Sequence, residues 1–161
     1  MPDAKLEAFS TLSAFHSYAV QGAEVAVDLE TGMVKVLRLL AAHDVGKAIN
    51  PSNCRQQVQG ALGMGMGYGL TEEYLWQNGK VFNADFHSYT MPTALDCPPM
   101  EIFLVEEHHP QGPYGAKGVG EMALAPAAPA IANAVYNACG VRIYDLPLKP
   151  SKILKELLKK A

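Results

Sequence analysis

The sequence predicts a mixed α+β fold, a single domain of antiparallel hairpins and packed helices. Three observations carry the prediction. Two Val- and Leu-rich runs flank the turn pair Thr31-Gly32, and Asn78-Gly79 divides a second, shorter pair of runs. Stretches of helical character, punctuated by Pro and Gly, lie between and after these hairpins, and no unit repeats.

In chain order, Met1 to Ser13 shows no clear period and reads as a loose lead-in or a short helix. Tyr18 to Leu29 alternates in part, through Val20, Ala23, Val25, Val27 and Leu29, as a half-buried strand does. Past Thr31-Gly32, the run Met33 to Ala42 supplies the second strand of a hairpin packed on a core. Asp44 to Asn53 is a connection holding Gly46, Asn50 and Pro51. A helix then runs from Pro51 or Ser52 to about Glu73. Its interior contains Gly60, Gly63, Gly65, Gly67 and Gly69, each costing about 1 kcal/mol relative to alanine. Such a helix is expected to lay a Gly60/Gly63/Gly67 face against another backbone or against a cofactor, while Met64 and Met66 fill core.

Asn78-Gly79, within Tyr74 to Phe82, is the strongest two-residue hairpin signal. Phe86 to Thr93 reads as irregular, broken by Pro92. Glu101 to Glu107 alternates as a strand that ends at His108-His109-Pro110. Pro126 and Pro129 delay the following helix to about Ala125, with Ile131 and Val135 on its buried face and Gly140 as its C-cap. Val141 to Tyr144 is short and apolar, and Ser151 is expected to cap a last helix ending at Lys159.

Composition excludes several classes. The 161 residues suffice for one domain with a sizeable core, at 49% apolar and 18% charged. A net charge of −3 gives no electrostatic case for nucleic acid or an anionic membrane. No apolar run is long enough to span a bilayer, and Asp3, Lys5 and Glu7 break any secretory-signal pattern. Cys54, Cys97 and Cys139 are far apart and form no C-x-x-C pair, which argues against a zinc or iron–sulfur site and fits a reducing compartment. A soluble, cytoplasmic domain is the expectation.

The stretch Gly112-Pro113-Tyr114-Gly115-Ala116-Lys117-Gly118-Val119-Gly120-Glu121 carries the chemistry. Glycines at this density let backbone N–H groups approach a ligand, and a carboxylate at the exit is placed to act as a base on what the loop holds. A tight surface turn with a solvated Glu121 is the plain alternative. The loop is no P-loop, because Lys117 is followed by Gly118 rather than Ser or Thr, and it lacks the G-x-G-x-x-G order of a dinucleotide turn.

Taken with its flanks, the loop resembles the C-terminal part of the molybdenum-binding large subunit of the xanthine dehydrogenase/aldehyde oxidase family. The matching pieces occur in order: Ala23-Glu24-Val25-Ala26-Val27-Asp28 with Thr31-Gly32, His43-Asp44-Val45-Gly46, Asn50-Pro51, Gln57-Val58-Gln59-Gly60-Ala61, Tyr89-Thr90-Met91-Pro92, Gly115 to Glu121, and Pro129-Ala130-Ile131-Ala132-Asn133-Ala134. They run from about Tyr18 to about Leu157. The resemblance implies the fold of that family's molybdopterin-binding domain over residues 1–161, as a fragment or split subunit of a larger molybdenum hydroxylase subunit.

It also implies roles. Glu121 corresponds to the general base that deprotonates a metal-bound hydroxyl attacking an electron-poor substrate carbon, a task suited to a desolvated carboxylate. Met122-Ala123 stands where the family often has Pro or Gly. Gln57 corresponds to a glutamine that hydrogen-bonds the pterin, where an amide can donate and accept at once; a surface glutamine is the alternative. Lys117 and the amides of Gly118, Val119 and Gly120 approach the cofactor or its phosphates, or else Lys117 pairs with Glu121 or another carboxylate. His43 and Asp44 brace the strand-to-helix connection rather than bind metal, and His108 and His109, adjacent and oppositely directed, make a poor chelate. No metal ligand is assigned to this chain.

The expected cofactor is molybdopterin, as the cytosine dinucleotide if the source is bacterial, with iron–sulfur clusters and FAD on other domains or subunits. The expected partners are the remainder of the molybdenum-binding subunit, an iron–sulfur subunit and an FAD subunit, with self-association when isolated and activity only on assembly. A non-catalytic interaction module that keeps the fold without cofactor is the rival expectation.

Overall fold

The computed structural model of the protein describes residues 16–160, so the expectation for Met1 to Ser13 lies outside the described residues. The first hairpin is present. Strand β1 (Ala19–Val27) pairs antiparallel with β2 (Val34–Asp44). Between them Asp28 Oδ1 accepts the N–H groups of Glu30 and Thr31, and Gly32 takes φ +74°. The inward residues of β1 are Ala19, Gln21, Ala23, Val25 and Val27, whereas Val20 and Leu29 are exposed, contrary to their expected placement.

β2 changes phase part-way along. Glu24 pairs with Arg38 but Val25 pairs with Val36, leaving Leu37 as an extra residue in a β-bulge. Inward positions therefore pass from Val34 and Val36 to Leu39, Ala41 and His43. This shift turns His43 into the core and sends Asp44 to the opposite face.

The strand expected near Glu101 is β5 (Met100–Val105), which pairs parallel to β2 from Leu39–Met100 to Asp44–Val105 and makes β2 the central strand. The crossover between them begins with α1 (Pro51–Leu70). Asn50 caps it, its Oδ1 accepting Asn53 N–H at 3.1 Å with Pro51 in the first turn. The crossover also holds the small hairpin β3 (Trp76–Gln77) and β4 (Lys80–Val81), turned by Asn78 and Gly79 at φ +51° and +73°.

Helix α2 (Ala127–Cys139) packs on β1 and on α1, and ends at Gly140 in the left-handed region as expected. Ile131 and Val135 are buried on it. Helix α3 (Pro150–Leu158) follows; Lys149 rather than Ser151 is its N-cap, because Pro150 already occupies the first helical position. Val141 to Tyr144 forms no strand. The core gathers Val36, Leu39 and Ala41 of the sheet, Val58, Leu62 and Met66 of α1, Ile131 and Val135 of α2, and Ile153 of α3.

The glycine face of α1 differs from expectation. A methyl group on Gly65 would overlap the Cβ of Ala127, and one on Gly69 would lie 3.4 Å from the Cβ of Ala128, so these two set the α1–α2 approach. Gly67 is closed in by Glu72 and Pro92, whereas Gly60 and Gly63 face open space. Met66 is core, but Met64 is 61% exposed. No helix among the described residues is long and apolar enough to cross a membrane.

Candidate functional site

The glycine-rich loop is stitched to the end of β2. Gly46 and Ala116 form an isolated antiparallel bridge, Lys117 N–H donates to Val45 O at 3.0 Å, and Lys47 N–H donates to Gly115 O at 2.8 Å. Gly46 has φ +60°, and a Cβ there would overlap the Gly115 carbonyl, so only glycine permits this approach. The 3-10 turn Pro113–Gly115 precedes the bridge and carries Tyr114 at φ +57°, a left-handed conformation for an exposed aromatic residue.

Beneath the bridge lies an ion pair. Lys117 Nζ sits 2.5 Å from Asp44 Oδ2, with the two side chains only 8% and 5% exposed. Asp44 Oδ1 accepts Gly46 N–H at 3.0 Å, and Lys117 Nζ also donates to His16 O at 3.2 Å. Burial pushes Asp44 up, but hydrogen bonds from Lys117 and Gly46 and the lysine charge outweigh it and hold the carboxyl below its ordinary value. Of the two roles open for Lys117, the structure shows the ion pair, and its partner is Asp44. Asp44 thus braces the loop as well as the connection after β2.

Beyond Lys117 the chain offers donors. Among the described residues, the N–H groups of Gly118, Val119 and Gly120 donate to no protein acceptor. Gly118 and Gly120 are exposed, while Val119 packs against the core and fixes the middle of the run. Glu121 follows at the head of the 3-10 turn Glu121–Ala123, closed by Leu124 N–H to Glu121 O at 3.0 Å. Glu121 is exposed, so the desolvation expected of a catalytic carboxylate is not supplied by this chain.

The same turn is held from the sheet. Ala123 is fully buried and its carbonyl accepts Gln21 Nε2 at 2.6 Å. Gln21 Nε2 also lies 2.9 Å from His43 Nε2, on the diagonal of the β1–β2 ladder, since Gln21 pairs with Ala41. Burial lowers the pKa of His43 and favours its neutral form. Neither Gln21 nor the full role of His43 was read from the sequence. The available signal was a glutamine in phase with Ala23, Val25 and Val27.

Gln57 lies exposed on α1, the helix that packs against the Glu121–Ala123 turn. On the same side of α1 is Gly60, where a Cβ would meet nothing within 4 Å. Among the described residues the loop offers three N–H donors without a protein acceptor and the exposed Glu121 carboxylate, and α1 offers the exposed Gln57 amide. This donor set fits a large polar ligand with mixed donor and acceptor edges, such as a pterin. Among the described residues no three His, Cys, Asp or Glu side chains gather as a metal site. A cleft of about 460 Å³ lined by Met33, Val36, Met66, Leu70, Met91 and Leu95 lies elsewhere and contains none of the expected residues.

The sequence model of the molybdopterin cofactor-binding domain matches residues 5–98, a span that includes Gln57 and stops short of the loop. The chain is 41% identical over 155 residues to the aldehyde oxidoreductase molybdenum-binding subunit PaoC of Escherichia coli (strain K12), covering 92% of this chain and 21% of that relative. It is 41% identical over 135 residues to the xanthine dehydrogenase molybdenum-binding subunit of Escherichia coli O157:H7, covering 83% and 18%. The crystal structure of the aldehyde oxidoreductase from Desulfovibrio desulfuricans superposes with a TM-score of 0.81 at 35% identity, over 87% of this chain and 15% of that one. The chain spans about a fifth of the length of the curated relatives it matches.

Proposed function

The chain belongs to the xanthine dehydrogenase/aldehyde oxidase family of molybdenum hydroxylases, as part of the molybdenum-binding subunit, and we propose that it supplies the catalytic glutamate and part of the molybdopterin shell. The observation that carries the proposal is the run of unpaired N–H groups from Gly118 to Gly120 leading directly into Glu121. When bound, molybdopterin supplies the oxidising centre for substrate hydroxylation. The chain's own groups do the rest. The amides of Gly118, Val119 and Gly120 donate to the cofactor's acceptors, and Gln57 pairs with its mixed edge. Lys117, whose ammonium is committed to Asp44, contributes by fixing the start of this run.

Glu121 accepts a proton at its carboxylate as the substrate is attacked, the work of a general base. Its exposure in this chain fits a pocket whose other walls come from the remainder of the subunit. Activity therefore depends on assembly of residues 1–161, as the C-terminal cofactor-binding domain, with that remainder. Iron–sulfur and FAD domains or subunits remove the electrons, and the setting is the cytoplasm. A bacterial source implies the cytosine dinucleotide form of the cofactor.

Capture of the tagged chain from its native host tests this. Recovery of molybdopterin with partner chains is the expected result. A chain recovered with partners but without pterin or molybdenum contradicts it, and makes the chain an interaction module.

A further inference from the structure

We propose that Gln21 and His43 are positioning residues for Glu121, acting through the Ala123 carbonyl on the turn that carries it; the inference rests on Glu121 being the base. The Gln21 amide has two protons on Nε2. One goes to Ala123 O at 2.6 Å and the other to His43 Nε2 at 2.9 Å. The flipped amide would set Oε1 against the Ala123 carbonyl, acceptor against acceptor. His43 Nε2 must then be the acceptor, so the imidazole is neutral with its proton on Nδ1. The effect of burial on His43 runs in the same direction.

This arrangement is costly as mere packing. Gln21 Oε1 and His43 Nδ1 are both buried and, among the described residues, have no partner, so each gives up its hydration without a hydrogen bond in return. Two apolar side chains would fill the same volume at lower cost. Among the described residues the pair's one bond to main chain beyond the sheet is to Ala123 O, and the Glu121–Leu124 bond closes that turn into a ring. Fixing Ala123 therefore fixes the backbone of Glu121. Because β2 alternates, His43 and Asp44 face opposite ways, and they hold the two ends of the 118–120 amide run: Asp44 through Lys117, His43 through Gln21.

The test uses the assembled enzyme for kinetics and the chain itself for spectroscopy. Gln21→Leu and His43→Leu should each lower turnover per bound molybdenum by about 10- to 100-fold, the scale expected of a displaced catalytic group. Molybdenum content should stay near wild type. His43→Gln keeps an acceptor at the reach of Nε2 and should recover most of the loss. A packing role alone gives the reverse order, with leucine the better replacement, and would overturn the proposal. Independently of activity, NMR of the imidazole nitrogens should show His43 as the Nδ1–H tautomer in the wild-type chain. A wild-type Nε2–H tautomer, or a freely titrating ring, overturns the proposal even if the variants misfold. Glu121→Gln is measured alongside. Normal turnover in that variant sinks the base assignment itself, whereas an inactive Glu121→Gln beside an unaffected Gln21→Leu sinks only the positioning role.

Discussion

Lys117 and Asp44 are 73 positions apart in the chain and meet as an ion pair of 2.5 Å, both side chains almost fully buried. The pair joins the end of β2 to the start of the donor run, so the geometry of the candidate site depends on it.

Removing one member leaves a buried charge without its partner, which costs about 3–5 kcal/mol. Asp44→Asn and Lys117→Met should each lose about that much stability at neutral pH by denaturant unfolding. The double variant should lose less than the sum, because the charges vanish together. Single variants as stable as wild type would remove the pair from the account.

His43 gives the chain a pH dependence of definite sign. Its folded pKa is lowered from the ordinary 6.5 by burial, so the unfolded state binds the proton first. Its contribution is fully present above about 6.5 and is lost as pH falls through the depressed folded value. Asp44, lowered from 3.8, adds a second loss at more acidic pH. Stability should therefore begin to fall below about pH 6.5, and His43→Gln should flatten that first limb. An unchanged slope in the variant would count against a buried neutral His43.

The helix glycines separate two kinds of position. Gly65→Ala would overlap Ala127 and should destabilise the chain by about 1–3 kcal/mol, the usual cost of overpacking. Gly60→Ala meets nothing and should raise stability by up to about 1 kcal/mol through helix propensity. In the assembled enzyme the same Gly60→Ala should lower cofactor content if this surface receives the cofactor. Thermal melts and molybdenum analysis of both variants measure these effects.

Local signals made much of the fold legible. The Thr31-Gly32 and Asn78-Gly79 turns, Asn50 before Pro51, and Gly140 after Cys139 each act within a few residues, where sequence and backbone are directly coupled. The parallel pairing of β2 with β5 joins residues about sixty positions apart, and no local signal encodes it. The bulge at Leu37 likewise breaks the alternation of β2 and turns His43 inward, where an unbroken period of two from Val34 and Val36 would have faced it outward. Gly65 and Gly69 rather than Gly60 and Gly63 form the packed face because of where α2 lies, which the α1 sequence does not specify. In the site, Glu121 and the glycine run were visible as a motif. Asp44 as the partner of Lys117, and Gln21 beneath Ala123, became visible only once the strands were paired.

The chain alone is expected to hold no molybdenum, since it offers one open side of a site. It should also self-associate through apolar side chains left exposed on the sheet, among them Val20 and Phe103 at 74% and 55% exposure. Elemental analysis and sedimentation of the purified chain check both. Stoichiometric molybdenum in a strictly monomeric chain would contradict the dependence on assembly.

The central claim is that Glu121 is the base. Glu121→Gln keeps size and hydrogen bonding but removes proton acceptance, and general base catalysis is worth about 10²–10⁴-fold. The deciding measurement is turnover per bound molybdenum in the assembled Glu121→Gln enzyme. The account predicts a fall of at least about 100-fold with cofactor content near wild type. A variant that keeps more than about a tenth of wild-type turnover, well outside that range, would leave Glu121 a structural residue of the loop.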